Sequence, residues 1–153
     1  MIQYIDMHAV LQESISGVYA DLVTRPTGRV VRERIERAIA GGRGGEGGTG
    51  EITVARMDFT GVGCIDYSCA DEIVAKLLRD RPAVLVLSGI TDGHREAIEP
   101  VLSGHGLAAL IERADGTLES LGAAAAATAL LDELVARRLA ARRPGGTYAL
   151  TLA

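Results

Sequence analysis

Ser68 lies in the run Asp66-Tyr67-Ser68-Cys69-Ala70-Asp71-Glu72, a hydroxyl set among three carboxylates. Two chemistries suit it. A serine ahead of an apolar run, with an acid three residues on, caps a helix: its oxygen accepts from the Asp71 amide, and Asp71 returns a bond to the Ser68 amide. The same hydroxyl is a candidate phosphorylation site. A phosphate there faces the positive end of the helix dipole, yet it adds about −1.5 to −2 charges beside Asp66, Asp71 and Glu72, enough to repel a partner. Capping is the commoner use of the pattern and both stay open. Asp66, Tyr67, Ser68, Asp71 and Glu72 together form a candidate partner-binding surface.

Other reactive residue types are scattered. His8, His94 and His105 fall in three segments without H-x-x-x-H spacing, and Cys64 and Cys69 have no matching pair to complete a zinc site, so no metal or other cofactor is expected. Ser68, His94 and Asp92 make a catalytic triad only on paper, since G-x-S-x-G is absent and an enzyme is not expected. The glycine-rich stretch 41–50 lacks the Gly-Lys-Ser/Thr ending of a phosphate loop and follows a helix, which makes it a linker. Arg25, Arg29 and Arg32, with Arg34 and Arg37, offer a partly basic surface for an acidic partner. Glu33 and Glu36 dilute it, and a pair such as Glu33 with Arg37 makes an ordinary solvated helix face.

These residues need elements to position them. The sequence predicts an opening strand over Met1 to Val10, a helix from Thr27-Gly28 with Val30, Val31, Ile35, Ala38 and Ile39 as its apolar stripe, and a strand from Ile52 to Phe59. A helix from Ser68 to Arg79 follows, then a continuous aliphatic strand Ala83 to Leu87. Thr91-Asp92 caps a helix running through Leu102, and a short strand Leu107 to Glu112 ends in the turn Ala114-Asp115-Gly116. Strands and helices alternate from Ile52 onward, which favours right-handed βαβ units and a largely parallel sheet. Ala123 to Arg138 reads as a further helix, and Pro144-Gly145-Gly146 as the turn of a closing hairpin.

The segment 57–72, reading MDFTGVGCIDYSCADE, resembles the central motif of STAS domains, the fold of bacterial anti-sigma-factor antagonists. The resemblance covers roughly Ile52 to Glu112, and Leu22 to Arg29 is further similar to a less characterised STAS-like bacterial family found beside histidine-kinase-like ATP-binding domains. It implies an α/β fold with a mixed sheet of four or five strands and helices mainly on one face, extended by the C-terminal helix and hairpin. The expected division is a STAS-like domain over 1–120 and an extension over 121–153 within one compact unit. It also implies a regulatory binding module of a signalling pathway, bound by a histidine-kinase-like ATPase or serine kinase, with Ser68 as the phosphorylated hydroxyl and Asp66 as the preceding motif acid. Leu130 to Leu152 resembles the last helix and wing of a winged-helix domain. The alternative function is therefore an accessory DNA-binding regulator using Arg137, Arg138, Arg142 and Arg143, although the long alanine run occupies the place of a helix-turn-helix.

Composition narrows these choices. A chain of 153 residues, 48% apolar but 3% aromatic, builds its core from Leu, Ile, Val and Ala. A net charge of −4 gives no global attraction to nucleic acid, which is not an expected partner. No apolar stretch approaches the ~18 residues of a membrane span. With two unpaired-looking cysteines, a cytoplasmic protein is expected. An exposed Leu/Ala face on the last helix leaves open a dimer, or a monomer that folds this helix back onto the sheet.

Overall fold

Alternation of apolar side chains gives the strands two usable faces, and the protein uses both. The computed structural model describes residues 2–14, 21–42, 53–80 and 83–151. Its elements are β1 (Ile2–Asp6), α1 (Met7–Ser14), α2 (Arg25–Gly42), β2 (Thr53–Asp58), α3, β3 (Ala83–Ser88), α4 (Asp92–Gly104), β4 (Ala108–Glu112), β5 (Thr117–Gly122), α5 (Ala124–Ala136), β6 (Ala140–Arg142) and β7 (Tyr148–Leu150). Helix α3 is composite: an α-helical turn Tyr67–Ala70, a π-helical segment Asp71–Ala75 and a closing α-helical stretch Lys76–Asp80.

All strands join one mixed sheet in the order β1-β2-β3-β4-β5-β7-β6. The first four are parallel, and β5, β7 and β6 add antiparallel. The α/β class and the mixed sheet are as expected: β1 to β5 make a five-strand core, and the C-terminal hairpin, expected as an extension, joins the same sheet by pairing with β5 and brings it to seven strands. Parallel neighbours in unbroken sequence order place their crossover helices on one face. Ile5, Met57, Leu87 and Ile111 stand in register across that face and form the larger core with residues of α1 to α4. Val54, Val84, Val86, Leu110 and Leu118 point the other way into a smaller core closed by Leu134 of α5.

The start of the chain departs from expectation. The strand stops at Asp6, whose carboxylate accepts from the Ala9 amide at 3.1 Å, and Met7 and Leu11 then bury one helical face. Strand β5 was not expected, because its apolar residues Leu118 and Leu121 sit an odd number of positions apart and serve opposite faces. Helix α2 begins at Arg25 and runs through Gly42, so the first two residues of the expected loop are helical; the remainder of that expectation, 43–50, lies outside the described residues. No helix among the described residues is long and apolar enough to cross a membrane.

Candidate functional site

The segments preceding α2 and α3 are stitched together before either helix starts. Leu22 forms a parallel bridge with Ile65, its amide donating to the Cys64 carbonyl at 2.7 Å and its carbonyl accepting from the Asp66 amide at 2.9 Å. Asp66 then caps α3. One oxygen accepts from the Cys69 amide and from the Ser68 hydroxyl, both at 2.8 Å, and the other accepts from the Thr24 amide at 2.9 Å. Burial alone would raise the Asp66 carboxyl, but the Thr24 and Cys69 amides and the Ser68 hydroxyl outweigh it and hold it below the ordinary value. Ser68 is therefore not the cap. A carboxylate has two oxygens to share among three donors where a hydroxyl has one, and Ser68 sits inside the first turn as a donor to that carboxylate.

Thr24 has φ 70°, a left-handed conformation that is rare for a β-branched residue. Its amide is tied to Asp66, while its carbonyl accepts from the Gly28 amide at 3.1 Å and the Cys69 thiol at 3.0 Å. Burial first, then the charge of Asp66, pushes that thiol up to about 12, which makes Cys69 a packing residue rather than a nucleophile. Tyr67 projects outward and is 61% exposed.

Glu72, expected on the outer acidic surface, is fully buried, and the arginines expected as a basic surface converge on it. Arg25 lies 2.9 Å away, Lys76 3.0 Å, Arg32 3.1 Å and Arg29 3.9 Å. Burial pushes the Glu72 carboxyl up, but Lys76, Arg25 and Arg32 overcome it and hold the group below its ordinary value. A buried carboxylate survives only with such partners. Only Arg29, at the longest distance, remains mostly exposed. The shortened capping box with Ser68 does not form, because the Asp71 carboxylate accepts instead from Arg25 at 2.9 Å and meets His105 at 3.0 Å.

His94 is buried. Its Nδ1 accepts from the Thr91 amide at 3.1 Å and its Nε2 meets the Gly63 carbonyl, so neither nitrogen is left for Ser68 or Asp92. Thr91 caps α4 as expected, in a reciprocal box with His94. Among the described residues no group of three or more His, Cys, Asp or Glu is placed to hold a metal ion. In the C-terminal segment Arg137 pairs with Glu133 at 3.1 Å, and Arg143 donates to the Asp115 carbonyl at 3.2 Å.

A second polar feature, missed from sequence, is a cavity of about 540 Å³ at the carboxyl ends of the parallel strands. Tyr4, Arg56, Asp58, Ser88, Glu112 and Arg113 contribute to its lining. Its signal was present: Arg56, Asp58 and Glu112 are charged residues in otherwise apolar strands. Comparison with known protein families, with curated proteins and with solved structures finds no match to this chain.

Proposed function

We propose that the chain is a regulatory protein-binding module of a bacterial signalling pathway, bound by a histidine-kinase-like ATPase or serine kinase and switched by phosphorylation at Ser68. The observation that carries this reading is the shared carboxylate: the Ser68 hydroxyl donates to the same Asp66 side chain that holds Thr24 in its strained conformation. Strained backbone persists only where its surroundings over-determine it, and it clusters at switch segments. Phosphorylation removes the Ser68 donor and sets a second anion beside Asp66. The Asp66 bond to Thr24 then weakens, Thr24 relaxes, and the start of α2 shifts against α3. Tyr67, exposed beside Ser68, supplies the apolar contact that a partner buries.

Wild type, Ser68→Ala and Ser68→Glu used as paired baits in host extract test this reading. Retention of an ATP-binding kinase-like protein by wild type and Ser68→Ala, with loss on Ser68→Glu, is expected. Equal retention by all three removes the switch from Ser68, and failure of wild type to retain any such protein removes the function.

A further inference from the structure

The cavity over the strand ends stands apart from the Ser68 region and has its own logic. By alternation, Arg56, Asp58, Ser88 and Glu112 share the sheet face occupied lower down by Val54, Val84, Val86 and Leu110. Helix α5 packs on β4, β5 and β6, and the cavity opens beyond it, at the end of the sheet where open α/β folds take ligands. Its volume falls in the usual range for small-molecule sites, roughly 300–1,000 Å³.

The charged groups lining it already have partners, ionic for the arginines and Glu112 and hydrogen-bonding for Asp58. Arg56 binds Glu112 at 2.7 Å, and Arg113 binds Glu119 at 2.7 Å. Asp58 accepts from the Tyr4 hydroxyl and the Thr60 hydroxyl, each at 2.7 Å, and from the Thr60 amide at 2.9 Å. Gly89 closes on this group: with φ 66°, a side chain there would meet the Asp58 carboxylate at 2.8 Å and the Thr60 hydroxyl at 2.5 Å. What remains is hydrogen-bonding capacity rather than an unoccupied charged group. Arg56 reaches one Glu112 oxygen twice, through Nε at 3.2 Å and Nη2 at 2.7 Å. Among the described residues, Arg56 Nη1, the other Glu112 oxygen and the Ser88 hydroxyl have no protein partner, so donors and acceptors stand side by side. The Arg56–Glu112 pair is also partly withdrawn from water, the side chains being 28% and 11% exposed.

We infer that this cavity binds a small, uncharged, hydroxyl-rich molecule of monosaccharide or polyol type, held by Arg56, Glu112 and Ser88 with the Tyr4 ring as its wall. Each hydroxyl of such a molecule donates to a carboxylate and accepts from a guanidinium, which suits the adjacent unused groups. An anion meets Asp58 and Glu112, and a cation meets Arg56 and Arg113, while the Asp58 carboxylate that would attract a cation is already taken up by three hydrogen-bond donors.

The test is titration of the uniformly ¹⁵N-labelled full chain with D-glucose, D-ribose, myo-inositol and glycerol, with zwitterionic glycine and inorganic phosphate as comparators. At least one neutral probe is expected to shift the Arg56, Ser88, Gly89 and Arg113 amides saturably, with Kd of about 1–10 mM. Ser88→Ala, which removes a hydroxyl with no protein partner among the described residues, should keep the wild-type circular dichroism spectrum and weaken that probe by about threefold to tenfold. Arg56→Met/Glu112→Leu, checked for folding by circular dichroism, should abolish its binding. The inference is overturned if no neutral probe moves these amides, if phosphate or glycine binds more tightly than every neutral probe, or if Ser88→Ala binds as wild type does. None of these outcomes bears on partner retention at Ser68, so the two readings stand or fall separately.

Discussion

Glu72 is the residue on which three cations of α2 and one of α3 converge. Neutralising it while Arg25, Arg32 and Lys76 remain leaves three cations facing one another around a buried amide or acid. Breaking a buried pair in this way costs about 3–5 kcal/mol, far more than a surface ion pair contributes. The pH dependence follows from the direction of the shifts. Glu72, Asp71 and Asp66 are all held below their ordinary values in the folded chain. The unfolded chain therefore binds protons first as pH falls. Their stabilisation is fully present above the ordinary values of 4.5 for Glu72 and 3.8 for the two aspartates, and is lost as pH drops through the lower folded values. Thermal melts of wild type should show Tm falling below about pH 4.5. Glu72→Gln should start from a lower Tm at pH 7 and show a shallower acid limb. An acid limb as steep as wild type would remove Glu72 as its source. The sequence offered Glu72 as one of several surface acids; its burial depends on how α2 crosses α3, which residue types alone do not reveal.

At the scale of elements, the contact between α2 and α3 depends on a close approach at Gly28. A β-carbon placed there would lie 3.0 Å from the Glu72 β-carbon and 3.2 Å from both the Cys69 α-carbon and its sulfur. Neither neighbour yields easily, since one is backbone and the other belongs to a side chain held by several cations. Gly28→Ala gains about 1 kcal/mol of helix propensity. It loses about 1–3 kcal/mol to overpacking, so a net loss of about 1 kcal/mol is expected. Urea unfolding should show a lower midpoint with unchanged slope, and a higher midpoint would mean that propensity wins and the helices part freely. The helices themselves were legible because periodicity and caps are local: the Thr91 cap of α4 was read correctly, and of the expected apolar stripe of α2 Val31, Ile35 and Ile39 are buried, whereas Val30 and Ala38 are exposed. The capping of α3 was not, because Asp66 and Ser68 both suit an N-terminus. The choice fell to the Thr24 amide, which arrives from 42 positions away. The π-helical segment left no composition signal; it begins at the consecutive acids Asp71 and Glu72, both of which lie 2.9 Å from the Arg25 guanidinium.

At the scale of the molecule, the sheet divides its two faces unequally. Among the described residues, the face under α1 to α4 buries a cluster of twenty-six apolar residues, and the opposite face one of seven. The parallel half was foreseeable from the strand and helix alternation, whereas the merging of the hairpin into the same sheet was not, since strand order depends on contacts distant in sequence. Leu134 is the buried side chain that α5 lends to the smaller cluster, and it is fully covered by its own chain. Leu134→Ala should cost about 2–5 kcal/mol. Because that cluster is small, the loss should concentrate in α5 and the β6–β7 hairpin rather than spread evenly, as local opening follows the weakest cooperative unit. Native-state hydrogen exchange of the variant should show faster exchange at 118–150, with the amides of Val54 to Met57 and Leu85 to Leu87 keeping their protection relative to the global stability. Uniform loss across both sets would mean that the two faces unfold as one unit, and that the C-terminal helix and hairpin are as integral to the sheet as the parallel strands.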